Sequence, residues 1–146
     1  MATLVAADPV ELANQLRPVL LHINRHLRRE VHKLGVSAGQ ISVLSAVRDR
    51  PGIGIADLAT REMMSAPSVS AHVDRLEAGG LVERRREASG DRRRIGIHAT
   101  PDGVRVLRDV RSRRTAWLAS RLEALPAGER QKLAGAVDAL GALVAS

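Results

Sequence analysis

The chain contains no cysteine, no phenylalanine and no tyrosine, and Trp117 is its single tryptophan. Lack of cysteine excludes disulfides, thiolate zinc sites and a thiol-oxidation switch. Lack of phenylalanine and tyrosine forces an aliphatic core of Leu, Val, Ile and Ala. It also removes the stacking platform that single-stranded nucleic acid or RNA binding needs. Lysine is scarce: all but Lys33 and Lys132 of the 23 cationic side chains are arginine. No apolar run approaches the roughly 18 residues of a membrane span, and residues 1–7 carry no basic n-region, so no signal peptide is visible. A soluble cytoplasmic protein is expected. There is no Gly-rich phosphate loop, no carboxylate cluster and no nucleophile beside a base. Ser70 and His72 stand at i, i+2 and do not face one another on a helix. No enzyme is expected, and no cofactor.

The 146 residues suit one domain, long enough to bury about 68–70% of its unfolded surface. The formal net charge is +7. Arginine suits bidentate contacts to phosphate and guanine better than lysine does. Charge alone leaves nucleic acid, an anionic membrane or an acidic protein as partners.

Ser65 to Gly80 (SAPSVSAHVDRLEAGG) organises the rest. Ser65 is an N-cap, and Pro67 falls in the first turn, where its missing N–H costs nothing. Val69, Val73 and Leu76 form one apolar stripe. Pro67, Ser68, Ala71, Asp74 and Arg75 lie on the far side, flanked by Ser70 and His72. Gly79-Gly80 ends the helix, one of the two left-handed. Small hydroxylic residues allow close approach at an N-terminus that attracts phosphate, and Arg75 can reach a guanine edge or a phosphate. An ordinary amphipathic helix with a solvated face has the same pattern, so the neighbours decide.

Upstream, Asp8-Pro9 opens a long amphipathic helix over residues 9–34, with Leu12, Leu16, Leu20, Ile23, Leu27, Val31 and Leu34 at spacings of three and four. Pro18 should kink it or split off its first turns, and Gly35 ends it. Residues 37–49 form a second helix behind Ser37, with Ile41, Leu44, Ala46 and Val47 inward. Ile53-Gly54-Ile55 reads as a short strand and Ile55 to Arg61 as a third helix. That helix and the Ser65 helix make a helix-turn-helix.

Downstream, residues 81–86 read as a strand, 87–91 as a turn and 92–99 as a returning strand. Six arginines against Glu87 and Asp91 give residues 84–94 a charge of +4. So much like charge weakens a lone hairpin and suits a polyanion, as in a wing beside a DNA groove. Thr100-Pro101-Asp102 opens a helix to about Ala124, Arg-rich outside, and Pro126 opens a last helix to about Val144.

The stretch Leu58–Gly103 resembles the multiple antibiotic resistance regulator (MarR) family of winged-helix proteins. The resemblance rests on SAPSVSAHVDRLEAGGLVERR and then SGDRRRIGIHATPDG. Asp91-Arg92-Arg93 supplies the family's wing motif, and Ala99 stands where leucine is usual in the exit motif. The helical flanks agree in length and order. The resemblance implies a mainly α (α+β) fold: a winged helix-turn-helix with long N- and C-terminal dimerisation helices. It implies one MarR-type domain over residues 1–146, with DNA binding in 36–100 and dimerisation in 8–35 and 101–146. It implies an obligate homodimer on double-stranded DNA at the nucleoid, with Arg93 in the minor groove. The terminal helices support the dimer independently, since their apolar lines exceed what a small winged helix can cover.

The expected DNA contacts are Ser65, Pro67, Ser68, Ser70, Ala71, His72 and Arg75, with Arg84, Arg86, Arg92, Arg93 and Arg94 on the hairpin. The expected function is sequence-specific transcriptional regulation, by repression from an inverted-repeat operator, with release by a small aromatic or anionic effector. The alternative is a winged-helix protein-interaction module. His22 and His26, with apolar residues of the second helix, are the expected effector wall. With Glu30 they stand at i, i+4, i+8, a spacing that a metal could use, but a polar helix face near a subunit boundary fits better and no metal site is expected.

Overall fold

The computed structural model describes residues 7–87 and 94–145. Six helices and one hairpin follow in the order α1 (Pro9–His32), α2 (Ala38–Asp49), α3 (Ile55–Glu62), α4 (Ala66–Ala78), β1 (Val82–Arg86), β2 (Ile95–Ala99), α5 (Pro101–Glu123) and α6 (Ala127–Ala142).

Local chemistry sets the boundaries. Asp8 caps α1 by accepting from the Glu11 amide at 3.0 Å. Ser37 and Gln40 form a reciprocal capping box on α2. Ser65 accepts from the Ser68 amide at 3.2 Å to start α4. At the other end of α4, Gly79 stays right-handed and Gly80 turns left-handed at φ +74°. The turn between α3 and α4 runs through Met63 at φ 52°, an L-residue in the left-handed region.

Three sequence expectations change. Pro18 does not split α1, which runs unbroken from Pro9 to His32. The carbonyl that Pro18 leaves without an N–H donor belongs to Asn14, an exposed residue, so water can serve it. The strand expected at Ile53–Ile55 is a single bridge between Ile53 and Ile97, because Ile55 already opens α3. The returning strand begins at Ile95, and Arg94 precedes it.

The core is aliphatic. It gathers Val31 of α1, five residues of α2, Leu58 of α3, Val69, Val73 and Leu76 of α4, Val82 and Ile97 of the hairpin, and Leu107 and Val110 of α5. The two strands pair antiparallel, Val82 opposite Ala99 and Arg86 opposite Ile95. Gly103 lets α5 lie against the hairpin. Its Cα faces the Leu81 carbonyl and the Leu44 side chain so closely that no Cβ fits. Thr100 locks this corner, donating to the Gly80 carbonyl at 2.6 Å and accepting from the Gly103 amide at 3.1 Å.

The terminal helices are otherwise uncovered. In α1 only Val31 is buried, α5 buries nothing after Val110, and α6 buries no residue. Leu12, Leu20, Leu122, Leu133, Leu140 and Leu143 are exposed. Leu12, Leu16, Leu20, Leu21 and Leu143 line one apolar groove where α1 meets the chain end.

Candidate nucleic-acid interface

The apolar stripe of α4 is fully used: Val69, Val73 and Leu76 are buried. Its opposite face is open, with Ser65, Pro67, Ser68, Ala71, Asp74 and Arg75 all exposed. The two serine hydroxyls bond each other at 2.9 Å across the first turn. Among the described residues Arg75 forms no ion pair, so its guanidinium is available on that face. Ser70 and His72 are half-buried instead. The His72 ring packs on α2 at Gly39, where a Cβ would come within 2.7 Å of its Nε2. The Nδ1 atom is buried without a hydrogen-bond partner. His72 therefore spaces α4 from α2 and does not join the open face.

Arg84 also departs from expectation. It lies on β1 two residues after buried Val82, so strand alternation turns it inward. Its guanidinium donates to Asp74 at 2.7 Å and to Glu77 at 2.8 Å, fastening the hairpin to α4. The Asp74 hydrogen bond, helped by Glu77 and opposed by burial, raises the Arg84 pKa further above its ordinary range. The alternation from Val82 is the sequence signal for this, hidden within a run of three arginines.

The rest of the hairpin is basic and outward. Arg85 and Arg86 are exposed, and Arg94 is exposed 3.9 Å from Asp57 of α3. Arg92 and Arg93 lie outside the described residues. Glu87, just beyond the end of β1, reaches back along the hairpin to His98 of β2, 2.7 Å away. The glycines at 52 and 96 leave room for the Glu87 carboxylate.

His26 stacks on Trp117 of α5 at 5.1 Å, and His22 meets His26 edge-on with the two Nε2 atoms 3.1 Å apart. Packing strips water from the charged His26 imidazole, and His22, Arg29, Arg121 and Arg25 repel it, so its pKa is lowered. Glu30 stands apart from the pair, bonded to Lys33 at 2.7 Å and 3.8 Å from Arg113. Among the described residues no three metal-ligating side chains gather.

A cavity of about 450 Å³ opens elsewhere, between α2, α3 and α5. Ile41, Leu107, Val110 and Leu118 give it an apolar wall, and Arg48, Arg61, Arg111 and Arg114 a cationic one. Asp49 engages Arg48 and Arg61. Among the described residues the Arg114 Nε has no hydrogen-bond partner, and it is buried. Sequence reasoning missed this site because its residues come from three helices far apart in the chain.

A helix-turn-helix whose second helix keeps a small, hydroxylic and cationic face open, with a basic hairpin fastened beside it, is a DNA-binding transcriptional regulator of the winged-helix class. The MarR family profile matches residues 34–94. A helix-turn-helix transcriptional regulator of Mycobacterium bovis is 30% identical over 91% of this chain and 92% of its own length. The chain belongs to the MarR family, and the relatives it matches are named as transcriptional regulators. Among solved structures, a transcriptional regulator of Pseudomonas aeruginosa PA01 shares 29% identity at a TM-score of 0.79, covering 94% of this chain and 96% of that one. A mutant of MepR from S. aureus, solved bound to an oligodeoxyribonucleotide, shares the fold at a TM-score of 0.70 and 20% identity, over 90% of this chain and 97% of that one. No helix of the described residues is long and apolar enough to cross a membrane.

Proposed function

We propose that the chain is a homodimeric repressor that reads an inverted-repeat operator in duplex DNA, working in the cytoplasm on the nucleoid. The observation that carries this is the open face of α4, where Ser65, Pro67, Ser68, Ala71 and Arg75 are exposed while the opposite stripe is buried. Ser68 and Ala71 permit close approach to base edges, and Arg75 supplies a forked donor for guanine or phosphate. Arg86 and Arg94, with Arg92 and Arg93 between them in the chain, provide cations for the phosphates flanking the groove. The MepR mutant solved on an oligodeoxyribonucleotide has this same fold, which lends support.

Residues 36–100 carry the DNA contacts, and residues 8–35 and 101–146 carry the dimer. The uncovered leucines of α1, α5 and α6 support the second copy, because a monomer would leave one large apolar surface in water. A two-fold pair presents its α4 helices to half-sites about 34–36 Å apart. A small anionic effector fits the cavity between α2, α3 and α5, where Arg114 has an unpartnered donor. It releases DNA only by preferring a spacing of the two α4 helices that does not match the duplex.

Selection of bound fragments from a random duplex pool, followed by binding titrations, tests the reading. An enriched inverted repeat is expected, with affinity falling roughly 10³–10⁵-fold between 50 and 200 mM salt for about 6–10 phosphate contacts. No enrichment and no salt dependence would leave a protein-interaction module. A light-scattering mass of one chain at micromolar concentration would remove the dimer.

A further inference from the structure

Outside the helix-turn-helix and the hairpin, one groove among the described residues is lined by four cationic side chains and a histidine. Arg25, Arg28, Arg29, His32 and Lys33 alone line a groove of about 450 Å³ along the last turns of α1. They stand at i, i+3, i+4, i+7 and i+8, which is one helix face. Arg25, Arg28, Arg29, His32 and Lys33 are all exposed. Only Lys33 has a carboxylate, Glu30 at 2.7 Å. Among the described residues no carboxylate pairs with Arg25, Arg28 or Arg29.

Attraction to the negative helix end explains only part of this. That effect fades beyond the last turn, and Arg25 and Arg28 lie further back. Like charges at i, i+3 and i, i+4 each cost a helix roughly 0.2–0.5 kcal/mol. A stripe that keeps several of them unpaired calls for a polyanion.

Position indicates which one. The stripe ends at Lys33, a short turn before α2, and Gly39 in the first turn of α2 touches His72 of α4. The cationic stripe thus ends a short turn before α2, the helix that packs directly on α4. From Arg25 to Lys33 it covers about 12 Å at 1.5 Å per residue. Measured along the duplex axis, that length matches roughly three to four base pairs at 3.4 Å each.

We infer that the α1 stripe is a second phosphate-binding surface, which grips the backbone of the duplex beyond the bases that α4 reads. The inference rests on the duplex-binding reading above. It adds affinity and salt dependence without sequence preference.

The test uses the full chain and a duplex it has selected from a random pool. Affinity is titrated against salt for the wild type, for Arg28→Gln/Arg29→Gln, and for a control, Arg130→Gln/Lys132→Gln, that takes the same charge from α6. Thermal melts establish that each variant is folded. The α1 variant is expected to flatten the log–log slope by about 1.8 per chain, or about 3.6 for the bound dimer, so that its loss of affinity between 50 and 200 mM salt is roughly 150-fold smaller. The control is expected to keep most of the wild-type slope, and preference over random duplex should be unchanged in both. An unchanged slope in the α1 variant, beside a wild type that binds, overturns the stripe and spares the regulator. Equal flattening in the control also overturns it, since net charge alone would then account for the effect. A wild type that shows no salt-dependent duplex binding overturns both.

Discussion

The contact that most needs a direct test is Arg84, which holds the hairpin to α4. Its two nitrogens reach Asp74 and Glu77 at 2.7 and 2.8 Å. The Arg84 side chain is 27% exposed, whereas Asp74 and Glu77 are 65% and 43% exposed. Exposed pairs contribute roughly 0.2–1 kcal/mol each, and solvent screening keeps these two together near about 1 kcal/mol. Arg84→Gln should therefore lower Tm by about 2–4 °C at fixed protein concentration. A double-mutant cycle with Asp74→Asn, read by urea unfolding without DNA, should give a coupling of about 0.5 kcal/mol. Arg84→Gln also frees two carboxylates beside the face of α4 proposed to meet DNA, where they would repel phosphate. Duplex affinity should fall, and adding Asp74→Asn should restore part of it. An arginine that only touched phosphate would show neither the coupling nor the restoration. A coupling indistinguishable from zero would refute the strut.

Three further outcomes follow from the same geometry. Arg75→Ala should cost about 1–3 kcal/mol at the selected duplex and less on random duplex; an equal loss on both would make Arg75 a phosphate contact only. Gly103→Ala should destabilise by about 1–3 kcal/mol, because its Cβ meets the Leu81 carbonyl and a buried leucine that cannot yield, and an unchanged melt would show that this corner relaxes freely. The lowered pKa of His26 means that its proton prefers the unfolded chain, whose histidine titrates near about pH 6.5. The stability contributed by neutral His26 is present above that pH and is lost as pH falls through the lower folded value. His26→Asn should thus flatten the acid side of a Tm profile taken from about pH 8 to about pH 5, and identical profiles would contradict the assignment.

Much of the molecule was determined by the sequence alone, because the forces involved act over a few residues. Asp8, Ser37, Ser65 and Thr100 mark helix starts through hydroxyl or carboxylate caps, and all four do so in the structure. The stripe of Val69, Val73 and Leu76 announced which side of α4 would be buried, and hence which side stayed open. Pro18 does not split α1, since the exposed Asn14 carbonyl it leaves without an N–H donor can turn to water. Tertiary structure alone decided which polar side chains meet. His72 turned to Gly39, Arg84 to two carboxylates of α4, and His26 to Trp117, while the cavity gathered residues from three helices. Each of these depends on how elements remote in the chain pack. Periodicity says which face of an element points inward, and only packing says what stands opposite.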